Sequence, residues 1–174
     1  KKAANEAGVK IELVHSDATR FTSTGIFDAA ICLCEGAFCL LGTDDDPLEH
    51  DLSILRNIYA VLKPGARLIV TVLNGCTMIR QYTQTDVENG RFDHAIMSEI
   101  HTMEIDIPEG KREVMVRERG YVPAELVMLF RLTGFEVEHI GGGTAGNWGR
   151  RQLELDAGLD ALDIHCELEV AEKG

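Results

Sequence analysis

The sequence has no long apolar run and no excess of basic charge. No stretch approaches the roughly 20 apolar residues of a membrane-spanning helix. The opening residues KKAANEAGVK also lack the apolar segment of a secretory signal. Acidic residues number 29 against 17 basic ones, which gives a formal net charge of −12. Such a chain repels phosphate backbones and anionic membranes, so we expect neither a nucleic acid nor a membrane as its partner.

The cysteines lack the pattern of a disulfide framework. There are five, an odd number, and Cys32, Cys34 and Cys39 share one apolar segment. Reduced, buried thiols in the cytoplasm are the better interpretation. Cys-x-Cys is not a usual zinc spacing, and no His or Cys pair follows at ligand distance, so we predict no metal site.

What the sequence does contain is an alternation of strand-like and helix-like segments. We predict strands at 11–15 (IELVH), 27–34 (FDAAICLC) and 67–73 (RLIVTVL). Between the last two, Asp46 as N-cap and Pro47 at the first position predict a helix that Lys63-Pro64-Gly65 ends. Short connections of this kind imply right-handed crossovers and a parallel sheet, with 27–34 covered on both faces.

The second half begins with a more polar stretch at about 76–119. Its pattern predicts a helix over 77–88 and an antiparallel ribbon over 92–119. Long connections after a sheet strand often carry substrate contacts, so this insertion is a candidate substrate lid.

The remaining residues predict one more helix and two strands. Pro123 opens the helix and Gly134 closes it. Strands follow at 135–140 and 162–172, and the Asp, His and Glu residues of the latter suggest an edge-like or one-sided strand.

Between those strands, Gly141, Gly143 and Gly146 fit the G-x-G-x-x-G spacing of a dinucleotide-binding loop. That fingerprint needs an apolar helix after the glycines, and NWGRRQLELDAG has only a weak apolar pattern. A surface loop is the favoured interpretation. A dehydrogenase-like use of this loop, and a pocket mouth lined by Trp148 and Arg150, stay open as alternatives.

Four segments together resemble the class I S-adenosylmethionine-dependent methyltransferases: HSDATRF (15–21), FDAAICLCEGAFCLL (27–41), NIYAVLKPGARLIVTVLN (57–74) and YVPAELVMLFRLTGFEVEHIGGG (121–143). The resemblance implies an α/β fold with a Rossmann-like sheet, mostly parallel with an antiparallel last strand, and a small β-rich insertion. It also implies a single domain, 1–174, with its core in 1–75 and 120–174 and the lid at about 76–119.

Placed on that family, Lys1 falls after the second strand. The first strand, its glycine loop and the acid that binds the ribose would then precede the chain. Because the family's first strand pairs with the fourth, we expect the strand at 27–34 to lack a neighbour. A missing N-terminal segment or a second copy in a homo-oligomer would complete the sheet.

The resemblance also implies S-adenosyl-L-methionine as the cofactor. Asp17 would accept a hydrogen bond from the adenine amino group, and the N–H of Ala18 would meet a ring nitrogen. The segment that ends the strand would run alongside the methyl group on the cofactor's sulfonium; its residues are Cys32, Leu33 and Cys34. The alternative for Asp17 is a turn residue that caps its own backbone.

Glu35 is the candidate catalytic residue, as the first ionisable group after that strand. It could orient a substrate amine or act as a base, although a solvated loop acid is an equal alternative. The candidate substrate-binding residues are Phe38, Asn74, Arg80, Tyr82, Tyr121 and Trp148. For Phe38 an ordinary place in the core is preferred.

These observations predict methyl transfer to a small-molecule acceptor by in-line attack on the cofactor methyl. The sulfonium is already activated, so the protein mainly aligns the reactants and removes water. The alternatives are a non-catalytic or structural remnant of the same fold, and another nucleotide-binding α/β enzyme.

Overall fold

The computed structural model describes residues 2–33, 37–144, 147–151 and 164–173, with side chains to Gly142. The helices are α1 (Lys2–Glu6), α2 (Pro47–Val61), α3 (Gly75–Gln81), α4 (Gln84–Glu88) and α5 (Pro123–Leu132). The strands are β1 (Phe27–Cys32), β2 (Leu40–Leu41), β3 (Leu62–Asn74), β4 (Phe92–Asp93), β5 (Ser98–Ile107), β6 (Gly110–Tyr121), β7 (Phe135–Thr144), β8 (Asn147–Arg151) and β9 (Ile164–Lys173).

Helix α2 begins where the sequence predicts. Asp46 Oδ1 accepts hydrogen bonds from the N–H groups of Leu48 at 3.0 Å and Glu49 at 2.8 Å, and Pro47 occupies the first turn. The helix ends at Val61, and β3 starts directly at Leu62. The Lys-Pro-Gly stretch therefore lies inside the first part of β3 instead of separating helix from strand.

Strand β3 is the centre of the sheet. It pairs in parallel with β1, where Cys32 lies opposite Val70, and antiparallel with β9. Strand β9 also pairs antiparallel with β7 on its other side. The antiparallel last strand is confirmed, but the expectation that it is edge-like is wrong, because it has a partner on both sides.

The predicted ribbon is confirmed as the hairpin of β5 and β6. Its pairs run in unbroken register from Ser98 opposite Arg119 to Ile107 opposite Gly110. Strands β4 and β2 extend it on either side, and the end of β6 joins β3 in parallel at Asn74 and Tyr121. This last pairing connects the insertion directly to the central strand.

The helix predicted over 77–88 is two short helices. Helix α3 already begins at Gly75, and α4 begins after Thr83, whose N–H and hydroxyl both donate to the Asp86 carboxylate. This capping box starts a new helix because it satisfies backbone donors at that point. It also holds Asp86 ionised, since the Thr83 hydrogen bonds lower the pKa of that carboxyl.

The core lies between α2, β3 and α5. Leu55, Leu68, Val70, Val72 and Phe130 are fully buried there. Among the described residues, no helix is both long and apolar enough to cross a membrane.

The sequence predictions fail most clearly at β1, on the edge that does not face β3. Residues 11–15 form no strand, and Leu13 and Val14 are each 64 % exposed. Within the described chain β1 pairs with β3 alone, and its Ile31 is 69 % exposed, so it is not covered on both faces. An isolated extended segment gains no ladder hydrogen bonds, which explains why a strand-like sequence stays outside the sheet here.

The stretch that begins at Gly141 is not the start of a nucleotide-binding loop. Gly141 pairs with Glu167 and Gly143 with His165, so these glycines belong to β7. Strand β8, not a helix, occupies 147–151. The dehydrogenase-like alternative is wrong for this reason, since its fingerprint needs a helix N-terminus directly after the glycines.

Candidate active site

The first part of the candidate site is the turn at Asp17–Arg20. Asp17 Oδ1 accepts hydrogen bonds from the N–H of Thr19 at 2.9 Å and from its hydroxyl at 2.8 Å. These bonds lower the pKa of the Asp17 carboxyl and keep it ionised. Asp17 therefore does cap its own backbone. A carboxylate has about four acceptor positions, so the cap leaves capacity for a ligand donor.

Ala18 opens the short 3-10 helix that Asp17 caps. The first N–H groups of a helix have no acceptor within it, so the Ala18 N–H is available to an outside group. An exposed acceptor and an adjacent donor are the two groups needed to recognise the edge of an adenine ring.

Helix α2 holds this turn in place. The Asn57 amide Nδ2 donates to the carbonyl oxygen of Ala18 at 2.9 Å. His50, in the first turn of the same helix, lies close enough to Asp17 for its charge to affect the pKa of that carboxyl. Helix α2 follows β1 and β2 along the chain, so the turn is held by the helix that comes after these two strands.

The second part is the carboxyl end of β1. Cys32 is a half-buried free thiol, and Leu33 is 44 % exposed. Cys34 and Glu35 lie outside the described residues, so the structure does not bear on their predicted roles. On the neighbouring strand, Asn74 ends β3 at the same edge, where its Oδ1 accepts from the N–H of Cys76 at 3.0 Å and caps α3.

Two of the predicted substrate residues lie in the core. Phe38 and Tyr121 are each 1 % exposed, and their rings stack with centroids 5.6 Å apart. Both side chains therefore belong to the hydrophobic core in this structure.

The other predicted substrate residues belong to the insertion and the last hairpin. Arg80 is exposed at the end of α3. The Tyr82 ring stacks on Phe92 with centroids 4.5 Å apart, and its hydroxyl donates to Glu99. Burial and this carboxylate raise the pKa of Tyr82, so the hydroxyl stays a donor. Trp148 lies in β8, and its side chain is outside the described part of the chain.

Sequence reasoning missed a buried polar network centred on Asp51, which is fully buried in α2. Its carboxylate accepts from the Cys39 N–H at 3.0 Å and from the Tyr121 hydroxyl, and it contacts His50 Nδ1 at 2.8 Å. Arg119 continues the network, because its Nη1 donates to the Tyr121 hydroxyl at 2.5 Å.

The same Arg119 reaches two further elements. Its Nε donates to the carbonyl oxygen of Ile96 at 3.0 Å, and its Nη2 pairs with Glu125 in α5. The network therefore fixes the backbone after β1, the insertion and two core helices relative to one another. In the sequence, the only sign of this network was Asp51, an acidic residue on the apolar side of a predicted helix.

A second missed cluster lies on the ribbon. Glu99, His101 and Glu118 place one potential ligand atom each within 4.8 Å of one another. Glu99 and Glu118 face each other across β5 and β6, with His101 two residues along the strand. Only the register of the hairpin brings them together, and the sequence does not reveal that register.

An open groove lies between β2 and the ribbon. Its volume is about 340 Å³, and its lining includes Leu41, Ile100, Met115 and Arg117. Arg117 Nη1 donates to the carbonyl oxygen of Asp45, just before α2, at 3.1 Å. The groove thus lies beside the segment that connects β1 to α2.

Comparisons with solved structures identify this architecture. A methyltransferase from Clostridium acetobutylicum, described as S-adenosylmethionine-dependent, superimposes with a TM-score of 0.70 at 12% identity, over 99% of this chain and 69% of its own. The CcbJ methyltransferase from Streptomyces caelestis matches with a TM-score of 0.57 at 15% identity, over 93% of this chain and 63% of its own.

A third similar structure was solved with two ligands. It is the 1,6-didemethyltoxoflavin-N1-methyltransferase of Burkholderia thailandensis, with bound 1,6-didemethyltoxoflavin and S-adenosylhomocysteine. It matches with a TM-score of 0.55 at 13% identity, over 99% of this chain and 56% of its own. No protein-family model matches the chain, and no curated protein matches it in sequence.

The chain therefore has the Rossmann-like fold of the S-adenosylmethionine-dependent methyltransferases. It spans 56–69% of the length of these three structures.

Proposed function

We propose that the protein is an S-adenosylmethionine-dependent methyltransferase acting on a small molecule. The observation that carries this proposal is the match of nearly the whole chain to methyltransferase structures, one of which holds the demethylated cofactor. The strand order supports it, because ligands of open α/β sheets bind beyond the carboxyl ends of the parallel strands. Cys32 and Asn74 end β1 and β3 at that edge, and we propose that the turn at Asp17–Ala18, held by Asn57 of α2, completes the cofactor site.

The residues present at this edge fit the cofactor. Asp17 would accept from the adenine amino group, and the Ala18 N–H would donate to a ring nitrogen. Asn57 would hold this turn against α2. Cys32, Leu33 and Cys34 would lie along the path to the methyl group. S-adenosylmethionine supplies an activated methyl when bound, so the protein has to bind, orient and exclude water.

A small acceptor suits the charge of the chain, because a net charge of −12 disfavours nucleic acids. We propose that Asn74, Arg80, Tyr82 and Trp148 contact the acceptor at the lid. Glu35 is proposed to orient the attacking group or remove its proton.

We also propose that a further strand covers the free side of β1, from an N-terminal segment or from a second copy of the chain. Ile31 in β1 is 69 % exposed, and Ile26 and Leu33 beside it in sequence are 62 % and 44 % exposed. Exposed apolar strand edges promote association unless they are covered. The thiols of Cys32 and Cys76 form no disulfide and suit the reducing cytoplasm, which we propose as the location.

This proposal is tested by calorimetric titration of S-adenosylhomocysteine into the full-length natural protein that contains this chain. Asp17→Ala should weaken binding at least tenfold by removing the adenine acceptor. Asp28→Ala, which removes an exposed carboxylate paired with Lys63 in β3, should leave affinity unchanged. A well-folded protein that binds neither cofactor nor product would favour the structural-remnant alternative.

A further inference from the structure

The cluster of Glu99, His101 and Glu118 brings together three side chains of types that bind metal ions. His101 Nδ1 lies 3.7 Å from Glu99 Oε1, and His101 Nε2 lies 3.8 Å from Glu118 Oε2. Only one of these nitrogens can bind an ion. One ligand atom from each side chain lies within 4.8 Å of the others, and the ligands of a tetrahedral ion are about 3.4 Å apart, so the side chains would rotate to close around an ion. Both strands are fixed by the continuous pairing of the hairpin.

The two carboxylates are placed where they repel each other. Glu99 and Glu118 are directly opposite on neighbouring strands, an arrangement that destabilises a sheet when both carry charge. Their side chains are only 20 % and 25 % exposed, so water screens this repulsion incompletely. A cation bound between them would remove that cost.

Another like-charge pair on the same hairpin gives a comparison. Glu104 and Glu113 also face each other, but Lys111 pairs with Glu104 and Glu113 is exposed. At Glu99 and Glu118 the neighbouring groups include an imidazole, which is both a base and a metal ligand.

We propose that Glu99, His101 and Glu118 bind one divalent transition-metal ion, with Zn²⁺ as the representative. One imidazole and two carboxylates favour such an ion over Mg²⁺ or Ca²⁺, which prefer oxygen ligands alone. The Tyr82 hydroxyl donates to Glu99 and would orient it from the outer shell. Three protein ligands leave a coordination position for water or for an anionic group of a bound molecule.

The proposal is tested on the 174-residue chain by titration with Co²⁺ followed by its visible absorption, and with Zn²⁺ by calorimetry. We expect a single site whose Co²⁺ spectrum lacks a thiolate charge-transfer band, which would exclude the cysteines as ligands. His101→Ala and Glu99→Gln should each weaken binding at least tenfold. The matched variants His94→Ala and Glu113→Gln change exposed residues of the same insertion and should bind as the parent does.

A second measurement separates metal binding from a purely structural role of the histidine. Zn²⁺ should raise the melting temperature of the parent and of Glu113→Gln, but not that of His101→Ala. If a protonated His101 alone neutralised the carboxylates, the parent would show no metal-dependent shift. That result, or equal Zn²⁺ affinity in the parent and His101→Ala, would overturn the proposal.

Discussion

The Tyr121 hydroxyl should contribute more to stability than any other single hydroxyl of the described chain. It is buried, donates to the Asp51 carboxylate and accepts from Arg119 Nη1. Tyr121→Phe removes both bonds and keeps the ring, including its stacking on Phe38 and the guanidinium of Arg119 4.4 Å from its centroid. The substitution therefore isolates the polar contribution.

The magnitude follows from the charges involved. A hydrogen bond to a charged group contributes about 1.5–3 kcal/mol, and two are lost here. Asp51 keeps the Cys39 N–H and the His50 contact, and Arg119 keeps Glu125 and the Ile96 carbonyl. These remaining partners soften the loss, so we expect the free energy of unfolding to fall by about 2–4 kcal/mol.

The assay is urea unfolding followed by circular dichroism, in which the midpoint should fall at an unchanged slope. Tyr82→Phe is the matched control, because it removes one half-buried hydroxyl bonded to a single carboxylate. Its expected loss is about 1 kcal/mol, below the range for a fully buried bond to a charge, because both groups are half-buried and water can replace the lost partner. Equal losses in the two variants, or a loss of less than about 0.5 kcal/mol in Tyr121→Phe, would show that the Tyr121 hydroxyl does not have this stabilising role.

Three further predictions concern other elements. Gly120→Ala should destabilise by about 1–3 kcal/mol in urea unfolding, because a Cβ would lie 3.0 Å from Gly75 Cα and N; unchanged stability would contradict this. The hydrogen bond to Asp51 raises the pKa of His50, which means that protonation of His50 stabilises the folded protein. This stabilisation is complete below about pH 6.5, the pKa of histidine in an unfolded chain, and is lost as the pH rises through the pKa of His50 in the folded state. A pH series of unfolding should show that decline, and the same slope in His50→Gln would contradict it. Asn57→Ala should weaken S-adenosylhomocysteine binding by calorimetry through the adenine turn while the protein stays folded; parent-like affinity would rule out this positioning role.

The parts of the fold that follow from local chemistry are predictable from the sequence. Asp46 and Pro47 begin α2 because cap and first-turn preferences act within a few residues. The hairpin of β5 and β6 is likewise local. The strand expected at 11–15 was not found, because a strand exists only with a partner and the sequence alone does not show whether one is present.

The long-range features of the candidate site were not predictable. Asp51, Tyr121 and Arg119 are distant in sequence, and only tertiary packing makes them one network. Phe38 and Tyr121 were named as candidate pocket residues, with a core place preferred for Phe38, because aromatic residues suit both a pocket wall and a core. Burial decides between these, and burial depends on the whole fold.

The glycines at 141–143 show a different limit. Their spacing matched a nucleotide-binding fingerprint, yet they are paired residues of β7. A short glycine pattern says little without the strand and helix that must flank it.

A crystal structure of the protein with S-adenosylhomocysteine tests the central claim most directly. We predict that the adenine lies against Asp17 and Ala18, with the rest of the ligand running toward the carboxyl end of β1 at Cys32. Ligand bound instead beside Gly141–Gly143, or on the opposite edge of the sheet, would contradict it.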